Sequence, residues 1–260
     1  MGFGKRLILF LLIVIVLGIL SVYWPNLTGN VSSLSNNNEN SNFVKEVGIV
    51  SKIVDGDTIH VNINGKDETI RLLGVNTPEK KKPYYEEAKN FLIIEIENKS
   101  VELVRDGDDI DKYDRKLRYV FYENRLINLE IVEQGLATTF MLDELKYKNK
   151  FMTGEKFARN SEIALWKGSN DNCAGCIKLV ELNPEVDFFI IKNSCDFDCD
   201  LVGWVVKDDA NHFFKLNPLE SGQDSKYDSL EIFKLEVWND AGDRFFMRDG
   251  EGGIVVFYEY

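Results

Sequence analysis

Asn64 and Gly65 separate two runs in which apolar and polar residues alternate, TIHVNI (58–63) and ETIRLLGV (68–75). Both turn residues tolerate the positive φ of a two-residue type I′ turn, so the segment is committed to an antiparallel hairpin. EVGIVSKIV (46–54) supplies a third strand ahead of it, and SVELVR (100–105) and KLRYVFYEN (116–124) supply two more around an acidic turn. Apolar residues recur at helical spacing in YYEEAKNFLIIEIEN (84–98), in RLINLEIVEQG (125–135), which stops at Gly135, and in KFARNSEIALW (156–166). Five strands with a few helices predict an α+β domain over 44–168, built on a small five-stranded barrel of the oligonucleotide-binding type. Beyond Gly168 the helical period fades. Short β-branched and aromatic runs alternate with Asp-, Asn- and Gly-rich turns, which predicts an all-β sandwich over 169–260.

The first 24 residues stand apart. Lys5 and Arg6 precede an uncharged, almost wholly apolar run from Leu7 to Trp24. As a helix it would be roughly 27 Å long at ~1.5 Å per residue, close to the ~30 Å of a bilayer's hydrocarbon core. An uncleaved transmembrane anchor fits better than a signal peptide, because SVYWPNL (21–27) offers no small-residue cleavage site. In either case, the absence of Lys or Arg between Arg6 and Lys45 places everything after Pro25 outside the cytoplasm. Residues 25–43 are rich in Asn and Ser, too poor in apolar groups to offset the entropy of ordering, and read as a tether. Asn26, Asn30 and Asn98 lie in N-x-S/T sequons.

Charge is uneven along the chain. Residues 44–168 hold 21 Lys+Arg against 23 Asp+Glu, whereas 169–260 hold 8 against 19, which makes the C-terminal part a poor candidate for gripping phosphate backbones.

Three segments carry the chemistry: VDGDTI (54–59), RLLGVNTPE (71–79) and DKYDRKLRYV (111–120). In residue type and order they resemble the staphylococcal-nuclease-like, or thermonuclease, family, over roughly residues 45–167. The resemblance implies a calcium-dependent phosphodiesterase acting on DNA and RNA to leave 3′-phosphate products. It makes Arg71 and Arg115 phosphate clamps and Glu79 the group that positions or deprotonates water. Asp57 and Asn76 would bind calcium through side chains and Thr77 through its carbonyl, with Lys112 and Tyr113 on a terminal phosphate. The chemistry asks for such groups: attack on a phosphodiester concentrates negative charge on the nonbridging oxygens, which a cation and planar guanidinium forks neutralise.

Two departures stand out. The family pattern has aspartate where this chain has Asn76, and losing that charge predicts calcium affinity lower by about one to two decades, roughly 1.4–2.8 kcal/mol. After Gly135, LATTFMLDE lacks the family's paired tyrosines, leaving Phe140 as a partial substitute stacking surface. The acidic run RDGDDIDKYD (105–114) lacks calcium-loop spacing and reads as an exposed hairpin loop.

All four cysteines fall in CAGC (Cys173, Cys176) and CDFDC (Cys195, Cys199), a spacing that serves either two disulfides or a four-thiolate zinc site. An extracytoplasmic location favours disulfides, with three pairings open. LVGWVVKDDANHFF (201–214) and VWNDAGDRFFMRDGEGGIVVFYEY (237–260) resemble the lamin-tail domain, an immunoglobulin-like sandwich, which implies attachment or spacing. Trp204, Trp238 and Phe213 read as core, and the lone His60 and His212 as non-ligands. The whole reads as a membrane-anchored, extracytoplasmic nuclease. The alternative is a catalytically weak or inactive protein that binds nucleic acid or attaches to the cell surface.

Overall fold

The computed structural model describes residues 45–140 and 144–260. The expected anchor at 1–24, the tether at 25–43 and the sequons at Asn26 and Asn30 lie outside the described residues. Among the described residues no helix is long and apolar enough to cross a membrane.

Strands β1 (Lys45–Ile53), β2 (Thr58–Ile63) and β3 (Lys66–Leu72) form the expected meander. Asn64 and Gly65 sit at its hairpin turn with φ of 52° and 86°. After β4 (Val75–Asn76) and helix α1 (Tyr85–Ile96), β5 (Ser100–Val104) pairs with β1 and β6 (Lys116–Tyr122) pairs with β5. A parallel pairing of Ile70–Leu72 with Lys116–Arg118 then joins β3 to β6, and the five strands close into a barrel. Its interior is a single apolar cluster including Val50, Ile59, Ile70, Leu103 and Val120, against which α1 packs Ala88, Leu92 and Ile96.

A two-residue β7 (Arg125–Leu126) leads into α2 (Ile127–Glu133), and β8 (Thr138–Thr139) pairs with β4. The third helix differs from expectation. α3 spans Lys148–Asn160 and stops there, because Glu162 and Ala164 take positive φ (51° and 46°); Ala164–Trp166 form a separate 3₁₀ turn.

The C-terminal part contains two antiparallel sheets, one of β9 (Ile177–Asn183), β10 (Phe188–Asn193) and β13 (Asp224–Asp228). The other orders β12 (Phe213–Lys215), β11 (Val205–Lys207), β14 (Arg244–Arg248) and β15 (Ile254–Glu259). A short α4 (Ser229–Phe233) completes the part. One core fills the space between the sheets, with Phe189, Ile191 and Tyr227 from the first meeting Val206, Phe214, Phe245 and Met247 from the second. Trp204 and Trp238 are buried in it as expected. Phe213 is not. In the β11–β12 register Val206 faces Phe214 while Lys207 faces Phe213, so Phe214 takes the core and Phe213 lies half-buried on the opposite face. Cys173 pairs with Cys199 and Cys176 with Cys195, which brings all four cysteines together at one place in the sandwich.

β14 is buried at every position, RFFMR. A strand exposed on one face would alternate; this one is covered on both. Phe245 and Met247 enter the sandwich core. Phe246 packs from the other face into a second apolar cluster with Ala158 of α3 and Trp166, flanked by Ile254 and Phe257. The described residues therefore form one compact unit, the barrel and the sheets sharing this seam.

Candidate active site

The barrel's closure brings three remote segments to one place. Thr58 pairs with Arg71 in the β2–β3 ladder, and Arg71 pairs with Leu117 of β6, so the start of β2, the end of β3 and the start of β6 adjoin. Gly56 permits the tight turn before β2, since a Cβ there would come within 2.7 Å of Ala88 and 2.9 Å of Thr77 side-chain atoms. The Asp55–Asp57 turn can thus tuck under α1 and against the loop that follows β4.

Asp57 is buried and its carboxylate is fully oriented. Oδ2 accepts from the Thr77 backbone N–H at 2.9 Å and its hydroxyl at 2.8 Å, while Oδ1 accepts from the Thr58 hydroxyl at 3.2 Å. Arg71 Nε lies 3.3 Å from the same Oδ1, and its Nη1 donates to the Leu72 carbonyl at 2.7 Å. Asp55 accepts from the Asp57 N–H at 3.1 Å. Burial, then the charge of Asp57, raises the Asp55 carboxyl above its usual range.

Arg115 reaches the cluster through Thr58, donating from Nη1 to its hydroxyl at 3.2 Å. Its Nε and Nη2 are held by Asp111 Oδ2 at 2.8 and 2.7 Å. Asp111 Oδ1 in turn accepts from the backbone N–H groups of Tyr113 and Arg115. Burial would raise the Asp111 carboxyl, but these backbone bonds and the Arg115 guanidinium hold it below its usual range. The acidic run is therefore a loop, as expected, but not a purely solvated one: Asp111 fixes the direction of Arg115, and Asp106 accepts from the Tyr119 hydroxyl at 2.9 Å. Lys112 and Tyr113 are exposed beside it, with the Arg115 guanidinium 5.4 Å from the Tyr113 ring centroid.

Asp57 is thus bonded directly to Thr77 and Arg71, and Arg115 joins them through the Thr58 hydroxyl. Glu79 lies two residues beyond Thr77 with its side chain exposed. Asn76 turns elsewhere. Its Nδ2 donates to the Asp209 carbonyl at 3.2 Å and its Oδ1 accepts from Asn211 Nδ2 at 3.3 Å, both residues of the C-terminal part. A carbonyl can only accept, so an aspartate at position 76 could not make the first of these bonds.

Arg244 is a residue of this setting that the sequence reading missed. From β14 its guanidinium contacts both oxygens of Glu155 on α3 (2.8 and 2.9 Å) and those of Asp209 (2.8 Å), as well as the Thr139 hydroxyl. Glu155 also accepts from the Thr139 N–H at 2.8 Å, and Thr139 is the β8 partner of Val75. A buried ion pair therefore braces the two-stranded β4–β8 ladder that leads into Asn76 and Thr77. The available signal was the uninterrupted apolar run Phe245–Met247, which places an apolar side chain on both faces of the strand.

A family model described as staphylococcal nuclease homologue matches residues 69–168. A thermonuclease of Staphylococcus intermedius is 34% identical over 126 residues, covering 46% of this chain and 75% of that protein. A thermonuclease of Staphylococcus hyicus is 30% identical over 163 residues, covering 60% and 94%. The endonuclease YncB of Bacillus subtilis is 34% identical over 142 residues, covering 50% and 67%.

Proposed function

This chain belongs to the staphylococcal nuclease family, and from that premise we propose that it hydrolyses phosphodiester bonds of DNA and RNA with calcium as cofactor, leaving 3′-phosphate ends. The observation that carries the reading is the convergence of Asp57, Thr77, Arg71 and Arg115 where the barrel closes. Two guanidinium groups beside a buried, pre-oriented carboxylate match a reaction that builds charge on nonbridging phosphate oxygens. Arg71 and Arg115 would bind that charge. Glu79, exposed on the adjoining loop, would orient a water or take its proton. Lys112 and Tyr113 lie close enough to Arg115 to meet a neighbouring phosphate.

The donor set is all oxygen, as calcium requires: the Asp57 carboxylate, the Thr77 carbonyl and the Asn76 amide oxygen. A bound calcium would supply Lewis-acid stabilisation of the phosphate charge. Asn76 Oδ1 already accepts from Asn211, so its share in holding the ion would be the weakest of the three. We further read residues 1–24 as a membrane anchor, 44–168 as the nuclease domain, and 169–260 as a lamin-tail-like module held outside the membrane for attachment or spacing.

The test is incubation of the full-length chain with single-stranded DNA in millimolar calcium. Cleavage abolished by EDTA, with 3′-phosphate ends, supports the proposal; no cleavage would leave a protein that binds nucleic acid or attaches to a surface.

A further inference from the structure

The seam between the barrel and the C-terminal sheets encloses a cavity of about 240 Å³, far above the ~10–15 Å³ a single water requires. On the barrel side it is lined by the Asn76–Glu79 segment with Lys81 and Lys82, and on the sheet side by Lys207, Phe213 and Arg248. Asp57, Arg71 and Arg115 do not line it. It is therefore distinct from the phosphate site at the barrel's closure, yet shares Asn76, Thr77 and Glu79 with the candidate active site.

The sheet contributes three buried or half-buried cations to this seam, and they are treated differently. Arg244 is matched by two carboxylates, Glu155 and Asp209. Lys207 donates to the Asn211 amide oxygen at 2.9 Å and stands 4.7 Å from the Phe246 ring centroid; Arg248 donates to the carbonyls of Leu165 and Gly252. Among the described residues neither forms an ion pair. A cation taken out of water calls for a counter-charge, and these two face a cavity where one can enter. Asp249 also reaches the cavity, but its Oδ1 is occupied by the N–H groups of Glu251 and Gly253. Burial and the nearby Arg248 pull the Lys207 ammonium down to about 8, which fits a charge awaiting a partner. Thr138 and Asn211 add polar groups, and Pro78, Pro83, Leu165 and Val205 form apolar wall beside Phe213, whose ring lies 4.4 Å from Lys82 Nζ.

We propose that this cavity binds one nucleotide unit, its phosphate held by Lys207 and Arg248 and its sugar or base against Phe213 and Pro83. The inference rests on the nuclease reading for its choice of nucleotide. It makes the C-terminal part a component of substrate recognition. Net acidity had argued against this, but net charge does not report which side chains the β11–β14 register turns toward the barrel.

Binding of a short oligothymidylate, of thymidine 5′-monophosphate and of inorganic phosphate to the full-length chain, measured calorimetrically in EDTA, tests the site without cleavage. Lys207→Gln should weaken oligothymidylate binding about tenfold, Lys207→Arg should retain most of it, and Phe213→Ala should weaken both nucleotide ligands more than inorganic phosphate. Loss for the oligonucleotide alone identifies the ligand as a unit of the substrate strand; loss for the mononucleotide too identifies a site that also takes free nucleotide. Unchanged affinity for both nucleotide ligands in Lys207→Gln and Phe213→Ala, with wild-type unfolding midpoints, overturns the inference. Calcium-dependent cleavage by the wild type would then still uphold the nuclease reading. Lys207-dependent binding without any cleavage would instead sink the nuclease reading and leave the site standing.

Discussion

Arginines line both seams of this molecule, and the two seams use them in opposite ways. Where the barrel closes, Arg71 and Arg115 each lean on one aspartate, Asp57 and Asp111, and keep 12% and 27% of their side-chain surface exposed. Where the barrel meets the C-terminal sheets, Arg244 is 8% exposed and bonded on every side by Glu155, Asp209 and Thr139. A guanidinium held by one carboxylate at the edge of solvent can exchange bonds with a phosphate. One surrounded by buried partners cannot, and its charge serves to fix geometry. Burial alone would lower the Arg244 pKa, but the carboxylates of Glu155 and Asp209 overcome that desolvation and raise it, so it remains charged at any pH the fold survives.

This contrast can be broken at four points. Arg244→Met should cost the most in stability, about 3–5 kcal/mol, because it leaves Glu155 buried without its partner. Chemical denaturation would show it, and a wild-type midpoint would mean the pair is incidental. Arg71→Ala should do the reverse, lowering the cleavage rate on the order of 10²-fold, or about 2.7 kcal/mol, while shifting the midpoint little. A comparable loss of stability and activity in that variant would erase the distinction between the seams.

Asn76 lies between the two seams and should show both effects. Asn76→Asp adds a charge to the candidate calcium site, so the calcium needed for half-maximal cleavage should fall by about one to two decades. It also removes the amide donor to the Asp209 carbonyl, so the calcium-free protein should be less stable by about 1 kcal/mol. An unchanged calcium requirement would show that Asn76 is not a ligand. The smallest effect belongs to Asp111. Its folded carboxyl titrates below the ordinary aspartate value of 3.8, so its contribution is fully present above that value and is lost as pH falls through the lower, folded one. Asp111→Asn should therefore flatten the acid limb of the unfolding curve between those values and leave stability at pH 7 only slightly reduced.

Much of the barrel was legible because its signals are local. The Asn64-Gly65 turn, the alternation in 58–63 and the helical spacing in 84–98 each act within a few residues. The third helix starts and stops earlier than its apolar spacing suggests; its stop at Asn160 follows from positive φ at Glu162 and Ala164, which residue types there do not encode. Phe213 and Phe214 are adjacent and chemically identical, so only the pairing of β12 with β11 could say which of them enters the core.

For the site, it was the resemblance of three segments to the staphylococcal nuclease family that pointed to Asp57, Arg71, Thr77 and Arg115, residues whose types suit phosphodiester chemistry. The sequence could not show that Asp111, four residues away on the same loop, aims Arg115, that Asn76 is bonded to Asp209 and Asn211, or that Lys207 and Arg248 face the barrel across a cavity. The last two depend on one sheet being covered on both faces, and the Asn76 bonds join residues more than a hundred positions apart. Local sequence sets the periodicity of each element; which face of it meets which partner is decided by long-range packing, where a shift of one residue in a strand exchanges every side chain between two environments.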